Sequence, residues 1–344
     1  CEVTDARGLM VSPGLIDLHI HGYLGEDASD ASEEGLRLMA AGLIKNGVTA
    51  FLPTTMTLSW EATERAFEAV RLLRPETAAP GFEGSEILGV HAEGPFINPK
   101  RKGAQPAEFI QPPDADRMLR HRDVVKIVTM APEMPGGLDF IRAVTQRSSI
   151  VVSIGHTDAT FEEAMAAIRA GATYITHTFN AMSGLHHRKP GAAGAALAGG
   201  AVCELIADTF HVHPGLFALM KNAKGEKLVL VTDCTRAGGL GDGAYSLGGQ
   251  AIQVRGVESR LADGTIAGSV LRLNDAVMNF SRHAGLQLPQ AIAYASLHAA
   301  RAIGAQSSKG SLEAGKDADI ALFDSGMTAH ACFVRGQLKY KKEG

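Results

Sequence analysis

The chain has 344 residues and a formal charge of −4, with acids and bases interspersed along it. That length suits one large barrel or two ordinary domains, and the charge leaves no footprint for nucleic acid or an anionic membrane. No apolar run approaches the ~20 residues that span a bilayer, and no secretory signal pattern is present.

The four cysteines, Cys1, Cys203, Cys234 and Cys332, show no Cys-x-x-Cys spacing. This predicts reduced thiols in a cytoplasmic enzyme, not a disulfide framework. The sequence opens at Cys1 without a methionine and passes almost directly into its first strand, so further N-terminal sequence is expected ahead of it.

The first strand lies within Pro13 to Gly22. Leu15, Asp17, His19 and His21 alternate with Ile16, Leu18 and Ile20. With a side-chain period of two, one face is apolar and the other carries two imidazoles that can share one metal ion. A helix follows over Glu33 to Lys45, with apolar residues at Leu36, Met39, Ala40, Leu43 and Ile44. A second strand, Val48 to Leu52, ends at Pro53-Thr54-Thr55, and an amphipathic helix covers Trp60 to Leu73.

The third strand, Ile87 to Ala92, delivers Glu93, and the fourth, Val124 to Met130, delivers Ala131-Pro132-Glu133. The fifth, Ile150 to Ile154, delivers Gly155-His156-Thr157. A helix opened by a Thr160/Glu163 capping box runs from there to Ala170. The sixth strand, Ala172 to Thr176, delivers His177, the seventh, Val202 to Ala207, delivers Asp208, and the eighth, Leu228 to Thr232, delivers Asp233. Helices are expected over Val270 to Ala284 and Leu288 to Ile303, then strands at Ile320 to Phe323 and Ala331 to Tyr340.

Eight strands separated mostly by helix-length segments imply a parallel sheet closed into a (β/α)8 barrel, with its site at the carboxyl ends of the strands. An open doubly wound sheet would need a Gly-x-Gly-x-x-Gly loop after an early strand, and none occurs. The expected division is a remnant of an N-terminal β domain in residues 1–10, a catalytic barrel over 11–310, and C-terminal strands over 311–344. The two ends together would form a small β-sandwich.

His19, His21, Glu93, His156, His177 and Asp233 all fall at strand ends. Any one of these histidines reads equally well as a satisfied core imidazole; their recurrence at successive strand ends is what points to a metal centre. Nitrogen donors with one or two carboxylates suit zinc and tolerate iron, cobalt or manganese. An open coordination position would hold water and lower its pKa toward 7. Two ions could share Glu93, one on His19 and His21 and the other on His156 and His177. Asp233 would take the proton of the attacking water and return it to the leaving group.

The closer pattern lies in His91-Ala92-Glu93-Gly94-Pro95-Phe96-Ile97, Lys102-Gly103-Ala104-Gln105, Gly155-His156-Thr157 and His177 to Met182. It continues in His186 to Gly191, Val231-Thr232-Asp233 and Leu261 to Ser269. In these segments the chain resembles the amidohydrolase superfamily and, within it, the N-acetylglucosamine-6-phosphate deacetylase family. The resemblance implies metal-dependent hydrolysis of the acetamide of a phosphorylated amino sugar, with hydroxide held by the metal as nucleophile and Asp233 as general base and acid. It makes Glu93, His156 and His177 the ligands of the ion that contacts substrate.

Some members of that family lack the first-strand histidine pair and use one ion; its presence here favours two. The resemblance places Asn180, the Ala181 backbone and Arg188 at the sugar phosphate, with Arg188 reaching the site of a neighbouring subunit in a homodimer. His211 would contact the sugar, and Ala104, Gln105, Ile266 and Ala267 would line it. Two departures stand out: some relatives carry His where this chain has Gln105, and the usual Asp-Gly after strand seven is Asp208-Thr209. His186 and His187 read as loop-building, and Cys234 as a core residue.

The alternatives are a related N-acyl-sugar hydrolase, a cyclic-amide hydrolase of the dihydroorotase type, and an inactive barrel kept as a scaffold. The dihydroorotase branch uses a carboxylated lysine after strand four, but Lys126 stands at that strand's start. An inactive barrel usually loses ligands or its base, and this chain keeps every expected group.

Overall fold

The computed structural model describes residues 4–343. Cys1 and the first residues of the expected N-terminal remnant lie outside that range. Eight parallel strands form one continuous ladder in chain order: Leu15–Ile20, Val48–Thr55, Val90–Glu93, Val125–Met130, Val151–Ile154, Tyr174–Ile175, Val202–Ile206 and Leu228–Val231. Helices such as Glu33–Leu43, Trp60–Thr77, Gly137–Arg147 and Phe161–Ala170 intervene and pack outside them. Phe161–Ala170 opens with the Thr160/Glu163 capping box that the sequence predicts.

The first and eighth strands meet without a full ladder, and specific groups close the seam. At the carboxyl end, the Asp233 N–H donates to the His19 carbonyl (2.8 Å) and the His21 N–H to that of Cys234 (2.8 Å). Lower down, the buried Asp17 carboxylate accepts from the Thr232 hydroxyl at 2.7 Å. At the opposite end, Ile16 N–H donates to Ala295 and Leu230 N–H to Tyr294 (2.7 and 2.9 Å). Those two carbonyls are free because the helix expected over Leu288 to Ile303 is broken into Leu288–Ala293 and Leu297–Ala302. The break satisfies strand N–H groups that would otherwise be orphaned.

Other boundaries shift for local reasons. The second strand continues through Pro53 to Thr55, three residues past its expected end. Opposite Pro53, the Ile20 N–H of the first strand bonds to the Thr54 hydroxyl at 3.0 Å. A three-stranded antiparallel sheet, Gly243–Leu247, Gln250–Arg255 and Glu258–Leu261, follows the eighth strand and has no counterpart in the expected elements. The expected Ala331 to Tyr340 strand is a hairpin, Ala329–Val334 and Gln337–Lys341. With Met10–Pro13 and Ile320–Phe323 it makes one four-stranded antiparallel sheet from the two ends of the chain.

Buried Lys309 ties this sheet to the barrel. Its ammonium lies 2.7 Å from both Glu86 and Asp319, and Arg335 pairs with Glu86 at 2.9 Å. Cys203, Cys234 and Cys332 are buried free thiols, and no helix among the described residues is long and apolar enough to cross a membrane.

Candidate metal centre

A cavity of about 250 Å³ opens at the carboxyl ends of the barrel strands. His21, Glu93, His156, His177 and Asp233 line it, and fully buried His19 sits beneath. Three of these residues hold left-handed backbone: His156 at φ 48°, His177 at φ 28° and Asp233 at φ 51°. Such conformations are costly for side chains with a Cβ and cluster where surrounding structure imposes them. Each stands two residues past the end of a barrel strand, where the left-handed turn swings the side chain off the strand line toward the cavity. Gly268, at φ 56°, approaches so closely that a Cβ there would meet the Asp233 carbonyl at 2.9 Å.

The donor atoms converge. Glu93 Oε1 lies 3.1 Å from His177 Nε2, 3.2 Å from His156 Nε2 and 3.4 Å from His19 Nε2. Its Oε2 lies 3.3 Å from His21 Nε2, which is 3.2 Å from Asp233 Oδ1. Two ligand groups emerge, Glu93 with His156 and His177, and Asp233 with His19 and His21, every member buried.

The ring tautomers suit a cation. His156 Nδ1 faces the Arg101 carbonyl (2.8 Å), His21 Nδ1 the Thr54 carbonyl (3.1 Å), and His19 Nδ1 the Glu204 carboxylate (2.9 Å). With Nδ1 donating in each, the Nε2 lone pairs turn inward. His156 and His177 then bring Nε2 atoms within 3.0 Å, and His19 and His21 within 3.4 Å. Between His19 and His21, whose Nδ1 atoms are both engaged, the facing lone pairs need positive charge, and four nitrogens with two carboxylates are a fitting set for divalent cations.

The electrostatics agree. Burial works against charge on His19, yet Glu204, Asp233 and Glu93 outweigh it and raise its pKa to about 9. Burial likewise opposes ionisation of Asp233, but His19 and His21 bring it down to about 2. Glu93 is held well below the usual range in the same way, by His19 and His156. Burial, then the nearby His19, drops His91 to about 4 and keeps it neutral. The acids draw positive charge onto this cluster, a demand that divalent ions meet by displacing protons.

The remaining expected residues divide. Ala104, Gln105, Asn180, Ala181, His211 and Ile266 line the cavity. His211 is held by Asp208, which accepts from its Nδ1 at 2.6 Å and from its main-chain N–H at 2.8 Å. The Asp208-Thr209 departure therefore leaves His211 in place, with Thr209 itself left-handed at φ 69°. Gln105 donates to Glu93 Oε2 at 2.5 Å and accepts from the Thr57 N–H at 2.7 Å, so here it orients the carboxylate between the two groups.

Ala267 lies behind the wall, fully buried beside Met56 and Leu247, with its N–H and carbonyl both bonded to Ser259. Arg188 is exposed outside the cavity, 2.7 Å from the His187 ring. Met56, Gly103, Leu247, Thr265 and Gly268 also line the cavity without having been expected to. Leu247 comes from the unanticipated sheet, whose Gly248-Gly249 turn is a hairpin signal.

The amidohydrolase family model matches residues 10–340. The chain is 41% identical to the N-acetylglucosamine-6-phosphate deacetylase of Bacillus subtilis, over 98% of this chain and 87% of that protein. It is 36% identical to the N-acetylgalactosamine-6-phosphate deacetylase of Escherichia coli O157:H7, over 98% and 89%. Among solved structures it superposes on the N-acetylglucosamine-6-phosphate deacetylase of Pasteurella multocida with TM-score 0.91 at 30% identity, covering 97% of this chain and 88% of that one. A Mycobacterium smegmatis deacetylase mutant in complex with N-acetyl-D-glucosamine-6-phosphate gives 0.90 at 32%, covering 97% and 87%.

Proposed function

The chain belongs to the amidohydrolase family, and on that premise we propose that it hydrolyses the acetamide of N-acetyl-D-glucosamine 6-phosphate to D-glucosamine 6-phosphate and acetate. The observation that carries this reading is the meeting of Glu93, His156, His177 and Asp233, from four separate strand ends, in one cavity. Zinc suits the donor set best, with iron, cobalt or manganese as substitutes, and the two ligand groups support two ions. When bound, such ions polarise a carbonyl and acidify a water.

The chain's own residues supply the rest. Asp233, ionised at neutral pH, accepts a proton from the water that attacks the acetyl carbon. As the C–N bond breaks, it returns that proton to the departing amine. Gln105 and the Thr54 and Arg101 carbonyls hold Glu93, His21 and His156 in their working orientation. His211 and Asn180 face the sugar, and the three-stranded sheet shields the reacting carbonyl from bulk water through Leu247.

Arg188 supplies the phosphate contact to a neighbouring subunit's cavity in a homodimer; its exposure outside its own cavity supports that role. The buried free thiols Cys203, Cys234 and Cys332 support a cytoplasmic setting.

Acetate release from N-acetylglucosamine with and without its 6-phosphate tests the substrate, with the galactosamine epimer as a further arm. The phosphorylated glucosamine derivative should be strongly preferred, and Arg188→Ala should raise KM for it by about tenfold or more with little change in kcat. Equal turnover of both sugars by the parent, or an unchanged KM in the variant, would remove the phosphate assignment.

A further inference from the structure

One titratable group near the centre has no part in the chemistry above. Glu204 sits in the seventh barrel strand, between Cys203 and Leu205, and is fully buried inside the barrel. Burying a carboxylate costs several kcal/mol before its partners compensate, and the interior of such a barrel is ordinarily filled by apolar side chains. Its two strong contacts run to the metal centre. Glu204 Oε2 accepts from His19 Nδ1–H at 2.9 Å and from the main-chain N–H of His177 at 2.8 Å. Oε1 has no partner.

The asymmetry among the four imidazoles gives this contact a meaning. His21 and His156 rest their Nδ1 atoms on main-chain carbonyls, and His177 Nδ1 has no partner. His19 alone is backed by a carboxylate. A carboxylate behind a ligating imidazole fixes its tautomer and ring orientation and makes the far nitrogen a stronger donor. We propose that Glu204 is the positioning residue of the ion held by His19, His21 and Asp233. Through the His177 N–H it also sets the spacing between that ligand group and the other. This rests on the two-ion reading above.

The test is zinc binding, not turnover: equilibrium dialysis of metal-stripped parent, His19→Ala and Glu204→Gln proteins. Glu204→Gln keeps the shape and removes the charge. The parent is expected to bind two ions per chain and His19→Ala one. Glu204→Gln should bind one ion as tightly as the parent and the second 10- to 100-fold more weakly. A purely structural role would lower the melting temperature of the metal-stripped protein and leave both affinities unchanged.

If His19→Ala loses an ion while Glu204→Gln binds both with parental affinity, the Glu204 assignment is overturned and the two-ion reading stands. If the parent's zinc is indifferent to His19→Ala, the two-ion reading falls and takes this role with it. Should Glu204→Gln not fold, Glu204→Asp, which retracts the charge by one methylene, is read in the same titration. A weakened second ion supports the role, and parental affinity at both sites overturns it.

Discussion

Asp233 combines a left-handed backbone, contacts with two imidazoles at 3.2 and 3.5 Å, and a pKa brought down to about 2. Together these keep it ionised and aimed into the cavity, as a base for water must be. Asp233→Asn keeps the shape and removes the proton acceptor. We expect kcat to fall by about 10²–10⁴-fold with KM for the sugar phosphate largely preserved, measured by steady-state acetate release. Turnover within a few-fold of the parent would contradict the acid–base role.

Glu93, His156, His177 and Asp233 were legible because each stands where an apolar strand run stops, and His19 and His21 because they alternate with apolar residues in the first strand. Glu204 was not. An acid inside the run Val202-Cys203-Glu204-Leu205-Ile206 carries no local sign of its partner, and His19 lies 185 residues away in sequence. Ala267 shows the converse: its segment reaches the cavity through Thr265, Ile266 and Gly268, while its own side chain turns into the wall.

Elements were legible to the extent that one periodicity governed them. The strand and helix from Val151 to Ala170 follow their patterns to within a residue. The Leu288 to Ile303 helix breaks because a tertiary demand, strand N–H groups at the barrel seam, outweighs helix propensity there. The three-stranded sheet escaped because its strands are short and half exposed, although Gly248-Gly249 signalled a hairpin.

Between elements, Lys309 holds the terminal sheet on the barrel by neutralising Glu86 and Asp319 at 2.7 Å each, with its own side chain only 3% exposed. Removing one member of a buried ion group leaves the others unpaired. Lys309→Met should therefore cost about 3–5 kcal/mol of unfolding free energy in urea titration, with the active cavity's geometry unaffected in the folded fraction. A loss below about 1 kcal/mol would show that water reaches the cluster.

At the scale of the whole molecule, the barrel brings together donors from residue 19 to residue 233, and only its closure makes them one centre. The sequence order of the strands was sufficient to expect this, since parallel strands alternating with helices leave all their carboxyl ends on one face. What order alone could not convey is how the seam closes. That depends on Asp17 with Thr232 and on the carbonyls of Tyr294 and Ala295.

The most direct test of the central claim is acetate release from N-acetyl-D-glucosamine 6-phosphate by protein stripped of metal with a chelator, before and after adding zinc. The account predicts turnover falling to background on stripping and returning when the divalent ion is restored. Undiminished turnover by metal-free protein would contradict it.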